Sequence, residues 1–372
     1  MDFDFSDDQK EMRAQARRFL EENCPPAKAR AVMESDATHD ATLWKKIADL
    51  GWLGTAVPEA HGGVGLGHEE LCVLAEEIGR AIAPVPFNSS VYLATEALLI
   101  AGSEAQKAEW LPKLASGALI GTFALAEKAA DAGPEGVQAS LTGGALSGRK
   151  VAVADGVAAD IAIVVARTGP GAEDVGLALV DLRAQGVERA PADSIDPSRS
   201  FATLTFDGAA AEALGDGAGW SVVEHLLDRA AALTAFEQVG LSDVCLDMAK
   251  EYALTRYAFG RPIGSFQAIK HKLADVYVAN ELARSNAYYG AWALSSGSSE
   301  LAEAAAGARV SATEAAFLAS KENIQTHGGM GYTWEGDCHL YYRRAKALSL
   351  QLGAARVWKE KLIRRLERKN AA

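Results

Sequence analysis

From Ser221 to Arg256 the sequence contains no proline and one glycine, Gly240. Alanine and leucine recur through it, and both are strong helix formers, so a single very long helix is predicted. A helix of that length gains most of its stability by lying along others. The sequence supplies partners: Phe266–Ser295 and Ser299–His327 read as two more long, Ala-rich helices, and His339–Arg368 as a last helical region after a Gly328–Gly336 loop. Long helices joined by short connections pack as a bundle, so a C-terminal four-helix bundle is expected over 213–372. Between the first two helices lies Lys250–Asp275, KEYALTRYAFGRPIGSFQAIKHKLAD. Gly260, Pro262 and Gly264 break the helical pattern, and Ile269, Leu273 and Val276 resume it. Arg256 therefore ends one helix and Gln267 begins the next. A cation and an amide beside a helix N-terminus suit a phosphate or pyrophosphate. The same pattern also fits a plain surface αα-hairpin.

Residues 1–120 read as an N-terminal α-helical domain. Ser6 can cap a first helix with Asp7 and Asp8 in its opening turn. Thr42–Leu50 is short and stops at Gly51. Asp49–Gly67 is a glycine-rich loop. His68–Ile82 is apolar on most faces and so is expected to be buried. Pro84–Pro86 ends it, and Ser90–Ile100 and Glu104–Leu114 follow. From about Leu119 the texture changes to short runs rich in Gly, Ala, Val and Thr: LIGTFALAE, VQASLT, KVAVADG, IAIVVART, GLALVDL, ATLTFDG. Even spacing and turn residues between them predict a small antiparallel β domain over 121–212. The fold class is thus α+β, mostly α.

A formal charge of −12 argues against nucleic acid as a partner. No run of about 18 apolar residues is present, so no membrane span is expected. The acidic N-terminus, MDFDFSDDQ, lacks the apolar core of a signal peptide, and cytoplasmic localisation is expected. Cys24, Cys72, Cys245 and Cys338 are scattered without a C-x-x-C pair, which suits a reducing compartment. The histidines form no H-x-x-x-H pair, and no metal is assigned. The basic run Lys359–Asn370 reads as a solvated helix face or a subunit contact.

RYAFGRPIGSFQAIKHKLAD resembles the R-x-x-F-G-x-x-I-x-x-F-Q-x-x-x-x-x-L-A-D signature of acyl-CoA dehydrogenases. QTHGGMGY (Gln325–Tyr332) resembles their second signature, and DLGWLGTAVPEAHGGVGLG (Asp49–Gly67) an N-terminal one. The resemblance spans nearly the whole chain. It implies the helical–β–helical fold, FAD as cofactor, an acyl-CoA substrate, an electron-transferring flavoprotein as electron acceptor, and a homo- or hetero-oligomeric dimer or tetramer. In the family FAD lies between protomers, with one chain's β domain on the isoalloxazine and another's bundle on the ADP half.

Carried over residue by residue, the resemblance assigns Arg256, Phe259, Gln267, Gln325, Gly328 and Gly329 to the ADP side. On the ring side it finds losses. Where the family reads T-E-P-x-A-G-S-D this chain has AEKAADAG (Ala126–Gly133), and K-x-W-I-[ST]-N appears as KVAVAD (Lys150–Asp155), with Ala152 and Ala154 at the aromatic and hydroxyl positions. Both family positions for the catalytic glutamate are also lost: they fall on Leu352 and Ala230. Glu237 lies two helical turns beyond Ala230, nearly on its face, among apolar Leu233, Phe236 and Val239. It is either a relocated base or a carboxylate with a structural partner; Glu335 and Asp337 are further acidic candidates. Asp228 and Arg229 approximate the family's acyl-CoA contacts, or form a helix-face ion pair.

Three functions are open at this stage. The chain is a self-sufficient acyl-CoA dehydrogenase that makes a trans-2-enoyl-CoA. Or it is a partner subunit of an α2β2 assembly that only completes another chain's FAD site, as in the heteromeric sterol and bile-acid enzymes. Or it is an acyl-CoA-binding protein without flavin.

Overall fold

The computed structural model describes residues 5–128, 133–171, 173–215 and 219–371. The chain divides into two compact units. A helical unit collects Met1–Ala31, Glu69–Ala83 and Ala231–Ala372; a mixed unit collects Val32–His68 and Pro84–Ala230.

The helices are α1 (Asp7–Asn23), α2 (Pro26–Met33), α3 (Ala41–Asp49), α4 (His68–Arg80), α5 (Glu96–Ala101), α6 (Glu104–Ala115), α7 (Trp220–Thr255), α8 (Gln267–Ser295), α9 (Leu301–His327), α10 (Cys338–Gln351) and α11 (Ala355–Ala371). Ser6 caps α1 in a capping box: its hydroxyl accepts from the Gln9 N–H, and the Gln9 side chain accepts from the Ser6 N–H. The expected last helical region is two helices. Leu352 and Gly353 separate them, Gly353 taking a φ of 97° that a side chain resists.

In the helical unit the long helices pack around buried alanines, which let their axes come close. The tightest crossing is α4 on α7. A Cβ on Gly79 would sit 1.9 Å from the Glu237 carbonyl oxygen, and one on Gly240 1.9 Å from that of Glu76, so the backbones touch. α4 is buried from Leu71 to Gly79, as expected. That run includes Glu76 and Glu77, whose carboxylates meet Arg284 at 2.8 Å and Arg17 at 2.7 Å.

The mixed unit is built on strands β1 (Gly121–Ala124), β2 (Ser140–Thr142), β3 (Ala145–Ala154), β4 (Ile161–Arg167), β5 (Val175–Asp181), β6 (Val187–Pro191) and β7 (Phe201–Ala213). β4 pairs β5, β5 pairs β7, β7 pairs β3, β3 pairs β2, and Ser140 of β2 returns to Arg167 of β4. These five strands therefore close into a ring, while β1 and β6 each pair on one side, with β4 and β7. The sheet is antiparallel apart from that last contact and β1, which runs parallel to β4 from Gly121↔Ile161 to Ala124↔Val164. The long connection between β1 and β4 permits the parallel pairing.

The helix expected from Ser90 begins instead as a π-helix, Asn88–Thr95, wholly buried, before α5 takes over at Glu96. Helices of this kind are rare and concentrate at functional sites. It packs on β1 so closely that a Cβ on Gly121 would lie 2.5 Å from the Ala94 methyl.

Candidate active site

The corner after α7 lies in the helical unit. Two-residue strands, Tyr257–Ala258 and Arg261–Pro262, form a tight hairpin. Phe259 at its tip has a φ of 52° and is 96% exposed. Phe266 braces the hairpin, edge-on to Phe259 at 6.2 Å and under the Arg261 guanidinium at 4.1 Å. The Ile263 N–H returns to the Arg256 carbonyl at 2.8 Å. Arg256 itself is exposed, and its guanidinium has no hydrogen bond or ion pair among the described residues. Gln267, also exposed, opens α8.

The second signature ends α9 in the same unit. Gln325 is exposed. Gly328 stops the helix with φ 59° and ψ −133°, a conformation essentially restricted to glycine. Gly328 and Gly329 have open space where a side chain would project. The structure ties these two segments together: the Tyr252 and His327 rings stack with centroids 4.2 Å apart, and Lys272 of α8 meets Glu322 of α9 at 3.4 Å. A free cation, two polar amides and a bare glycine turn thus share one end of the unit, a set that fits a diphosphate.

The ring-side segments lie in the mixed unit and are committed to the fold. The Ala126 carbonyl accepts the Val151 N–H at 2.8 Å. Ala154 pairs with Phe201 across β3 and β7, and its carbonyl accepts from Thr122 Oγ1 at 2.5 Å. Lys150 is fully buried and donates to Glu127 at 2.7 Å and to the Leu125 carbonyl at 3.0 Å. Positions 129–132 of the AEKAADAG segment lie outside the described residues. At Ala126, Ala152 and Ala154 no side chain reaches beyond a methyl, so this half does not fit an isoalloxazine through side-chain contacts. Beside it sits a cluster the sequence did not announce. Asp155, fully buried with a φ of 55°, accepts from Arg199 Nε at 3.1 Å and Nη2, and from the Ser89 hydroxyl of the π-helix at 2.5 Å.

The remaining candidates have definite surroundings. Arg229 donates through Nε to Glu96 Oε2 at 2.6 Å, and its Nη2 lies 2.8 Å from His68 Nε2, which in turn lies 2.8 Å from Glu96 Oε1. Burial pushes the Glu96 carboxyl up, but His68 and Arg229 together outweigh it and hold it below the usual range. Asp228 is 4% exposed. Glu237 is fully buried in the helical unit. Burial lowers the pKa of Arg309, also fully buried, to about 10, and Glu237 works against that shift. Arg309 donates to Gln238 at 2.6 Å and to the Leu348 carbonyl. Leu352 is 7% exposed and accepts from Trp358 Nε1 through its carbonyl at 2.9 Å. Asp337 pairs with Arg30 at 2.9 Å, and Glu335 is exposed.

Long helices with both signature segments at one end, in a chain that also builds a small closed sheet, define an acyl-CoA dehydrogenase, and the chain belongs to that family. Residues 6–118 match its model "Acyl-CoA dehydrogenase, N-terminal domain" and residues 217–367 "Acyl-CoA dehydrogenase, C-terminal domain". Members are FAD-dependent oxidoreductases. Among curated relatives, the chain is 34% identical to "Acyl-CoA dehydrogenase IpdE2" of Mycolicibacterium smegmatis, over 97% of this chain and 98% of that one. Among solved structures, it resembles a variant of the Tcur3481-Tcur3483 steroid ACAD with a TM-score of 0.90 and 32% identity, covering 98% of this chain and 99% of that one. It is also similar to a chain of the ChsE4-ChsE5 complex from Mycobacterium tuberculosis, with a TM-score of 0.89, 29% identity and 99% coverage of each. Among the described residues, no helix is long and apolar enough to cross a membrane.

Proposed function

We propose that this chain is one subunit of a heteromeric FAD-dependent acyl-CoA dehydrogenase, and that it supplies the ADP-side half of the cofactor site to a second, dissimilar subunit. FAD, when bound, supplies the hydride acceptor for α,β-desaturation of an acyl-CoA thioester, with an electron-transferring flavoprotein as the onward acceptor. The observation that carries the proposal is the contrast between the two halves. Arg256, Gln267 and Gln325 stand exposed around Gly328–Gly329, and the Arg256 guanidinium has no partner among the described residues of its own chain. The ring-side positions are alanines that offer no more than a methyl, Ala154 within the β3–β7 pairing and Ala152 on a bulge of β3, and both family base positions are apolar, at Ala230 and Leu352.

In this assignment Arg256 neutralises the diphosphate. Gln267 and Gln325 donate to it or to the nearby sugar, and the two glycines admit it to their backbone N–H groups. Phe259, held out on its strained hairpin, reaches toward the partner chain. Glu237 serves as counter-ion to Arg309 and takes no substrate proton, and the base belongs to the second subunit. Arg229, anchored by Glu96 and His68, shapes the start of α7 beside Asp228, so any CoA contact there runs through Asp228 or the helix backbone. Similarity to a steroid ACAD supports a steroid-derived acyl-CoA as substrate class. Similarity to a chain of the ChsE4-ChsE5 complex supports an assembly of two different chains, read here as α2β2 and cytoplasmic.

The deciding measurement is a visible absorption spectrum, taken on the purified chain and again after co-expression with a neighbouring dehydrogenase gene. The expected outcome is little flavin alone, a full flavin spectrum in the co-purified assembly, and acyl-CoA-dependent dye reduction only there. Equal flavin content and turnover with and without the second chain would refute the division of labour.

A further inference from the structure

The proposed diphosphate corner is assembled from the ends of two helices, and their axial register decides whether its parts meet. α7 and α9 touch along their last turns in two successive rungs. Asn323 Nδ2 contacts Met248 Sδ at 3.7 Å, and four residues further along both helices His327 stacks on Tyr252 at 4.2 Å with the planes 29° apart. Because both rungs advance by four in the same direction, the helices run parallel and finish level. The rungs are themselves fixed. Asn323 Oδ1 receives the Cys338 thiol at 3.8 Å, and His327 Nδ1 lies 2.9 Å from the Asn323 carbonyl. A carbonyl only accepts, so Nδ1 carries the hydrogen and the ring orientation is set.

One further step along α7 is Arg256, its N–H on the Tyr252 carbonyl at 2.8 Å. The next residues along α9 are Gly328 and Gly329. With open space at both glycines, the turn has no side chain with which to key itself against α7. Two helix C-termini also present partial negative charge to an anion, so the cation must be accurately placed to overcome it. A slip of one turn displaces Arg256 by about 5.4 Å, well beyond the ~3.2 Å reach of a hydrogen bond.

We propose that Tyr252 and His327 are positioning residues: their ring stack locks the register of α7 against α9 and so sets Arg256 level with Gly328–Gly329 to receive the cofactor's diphosphate. The inference rests on the FAD assignment above and adds to it two residues that do not themselves bind the diphosphate.

The test uses the flavin-bearing assembly, stripped of flavin and retitrated with FAD by quenching of flavin fluorescence, with thermal melts run in parallel. Tyr252→Phe keeps the stack and is expected to bind FAD within twofold of wild type. Tyr252→Leu removes it and is expected to weaken binding by tenfold or more while the melting temperature falls by only a few degrees. Should Tyr252→Leu not fold, Tyr252→Met, flexible and close in volume, serves the same comparison. Wild-type affinity in the leucine or methionine variant overturns the inference, as does a Tyr252→Phe protein as weak as Tyr252→Leu, which would transfer the role to the hydroxyl. Arg256→Gln separates the two levels. If it binds FAD like wild type, the diphosphate assignment itself fails. If it weakens binding while Tyr252→Leu does not, only the register lock fails.

Discussion

Glu237→Gln distinguishes a relocated catalytic base from a buried counter-ion, because the two roles predict opposite phenotypes. Glu237 and Arg309 are both fully buried, and the carboxylate is what opposes the burial-driven fall of the Arg309 pKa toward 10. The two charges are coupled through the field rather than by a hydrogen bond, so stranding Arg309 costs at most the about 3–5 kcal/mol of a broken buried ion pair. Arg309 keeps its hydrogen bonds to Gln238 and the Leu348 carbonyl, which places the expected loss toward the low end, about 3 kcal/mol. For a unit of this size that corresponds to a fall in Tm of roughly 6–12 °C. Urea unfolding of Glu237→Gln, Arg309→Met and the double variant closes a thermodynamic cycle. The double variant is expected to be less destabilised than the sum of the singles, because it strands no charge. A catalytic base gives the reverse pattern: Glu237→Gln as stable as the parent, with turnover of the assembly lost by orders of magnitude. That result would refute the counter-ion assignment.

The other predictions concern stability. Gly240→Ala is favoured by helix propensity by about 1 kcal/mol, yet its Cβ would lie 1.9 Å from the Glu76 carbonyl. Forcing α4 and α7 apart costs more than that, about 1–3 kcal/mol or above, so a lowered melting temperature is expected, and a raised one would show that the crossing is not tight. In the mixed unit, the Glu96 carboxyl is held below its ordinary value in the folded state. Its contribution to stability is therefore complete above the unfolded value, about 4.3, and is lost as pH falls from there through the folded value. Glu96→Gln is expected to flatten this acid limb in pH-dependent melts, and an unchanged limb would exclude His68 and Arg229 as its cause.

Local signals are readable in the sequence, and long-range pairings are not. Ser6 and Gln9 announce a capping box within four residues, and Gly51, Gly328 and the Gly260–Gly264 turn mark chain reversals through conformations that side chains resist. β6 leaves no signal, because Val187–Pro191 is largely exposed and lacks alternation. The π-helix has no composition of its own, and its buried Ser89 and the charged Glu96 just after it find their charged partners, Asp155 and Arg229, far away in the chain. Arg229 reads as a substrate contact or half of a helix-face ion pair because its partners, Glu96 and His68, are remote in sequence. Helical spacing does set Glu237 on an inward face, but nothing near it in the chain shows that Arg309 waits opposite.

The same distinction bears on function. A residue that a fold needs is explained by its neighbours in that fold, as Asp155 is by Arg199 and Ser89, and Lys150 by Glu127. Arg256 has no such explanation among the described residues. It is a long, entropically costly cation at an exposed corner, beyond a stacked Tyr–His rung, beside glycines whose open space no described residue fills. Fixing such a side chain near two helix C-termini stabilises nothing unless an anion arrives. The ring-side alanines present the opposite case: Ala154 is taken up by β pairing and Ala126 by its bond to Val151, and Ala152, exposed on a bulge with a φ of 51°, offers only a methyl. On the proposed assignment, the ADP-side residues are therefore in excess of what the fold requires, and the ring-side positions supply less than a flavin ring requires. Only an assembly in which a different chain contributes the ring side uses the first without needing the second.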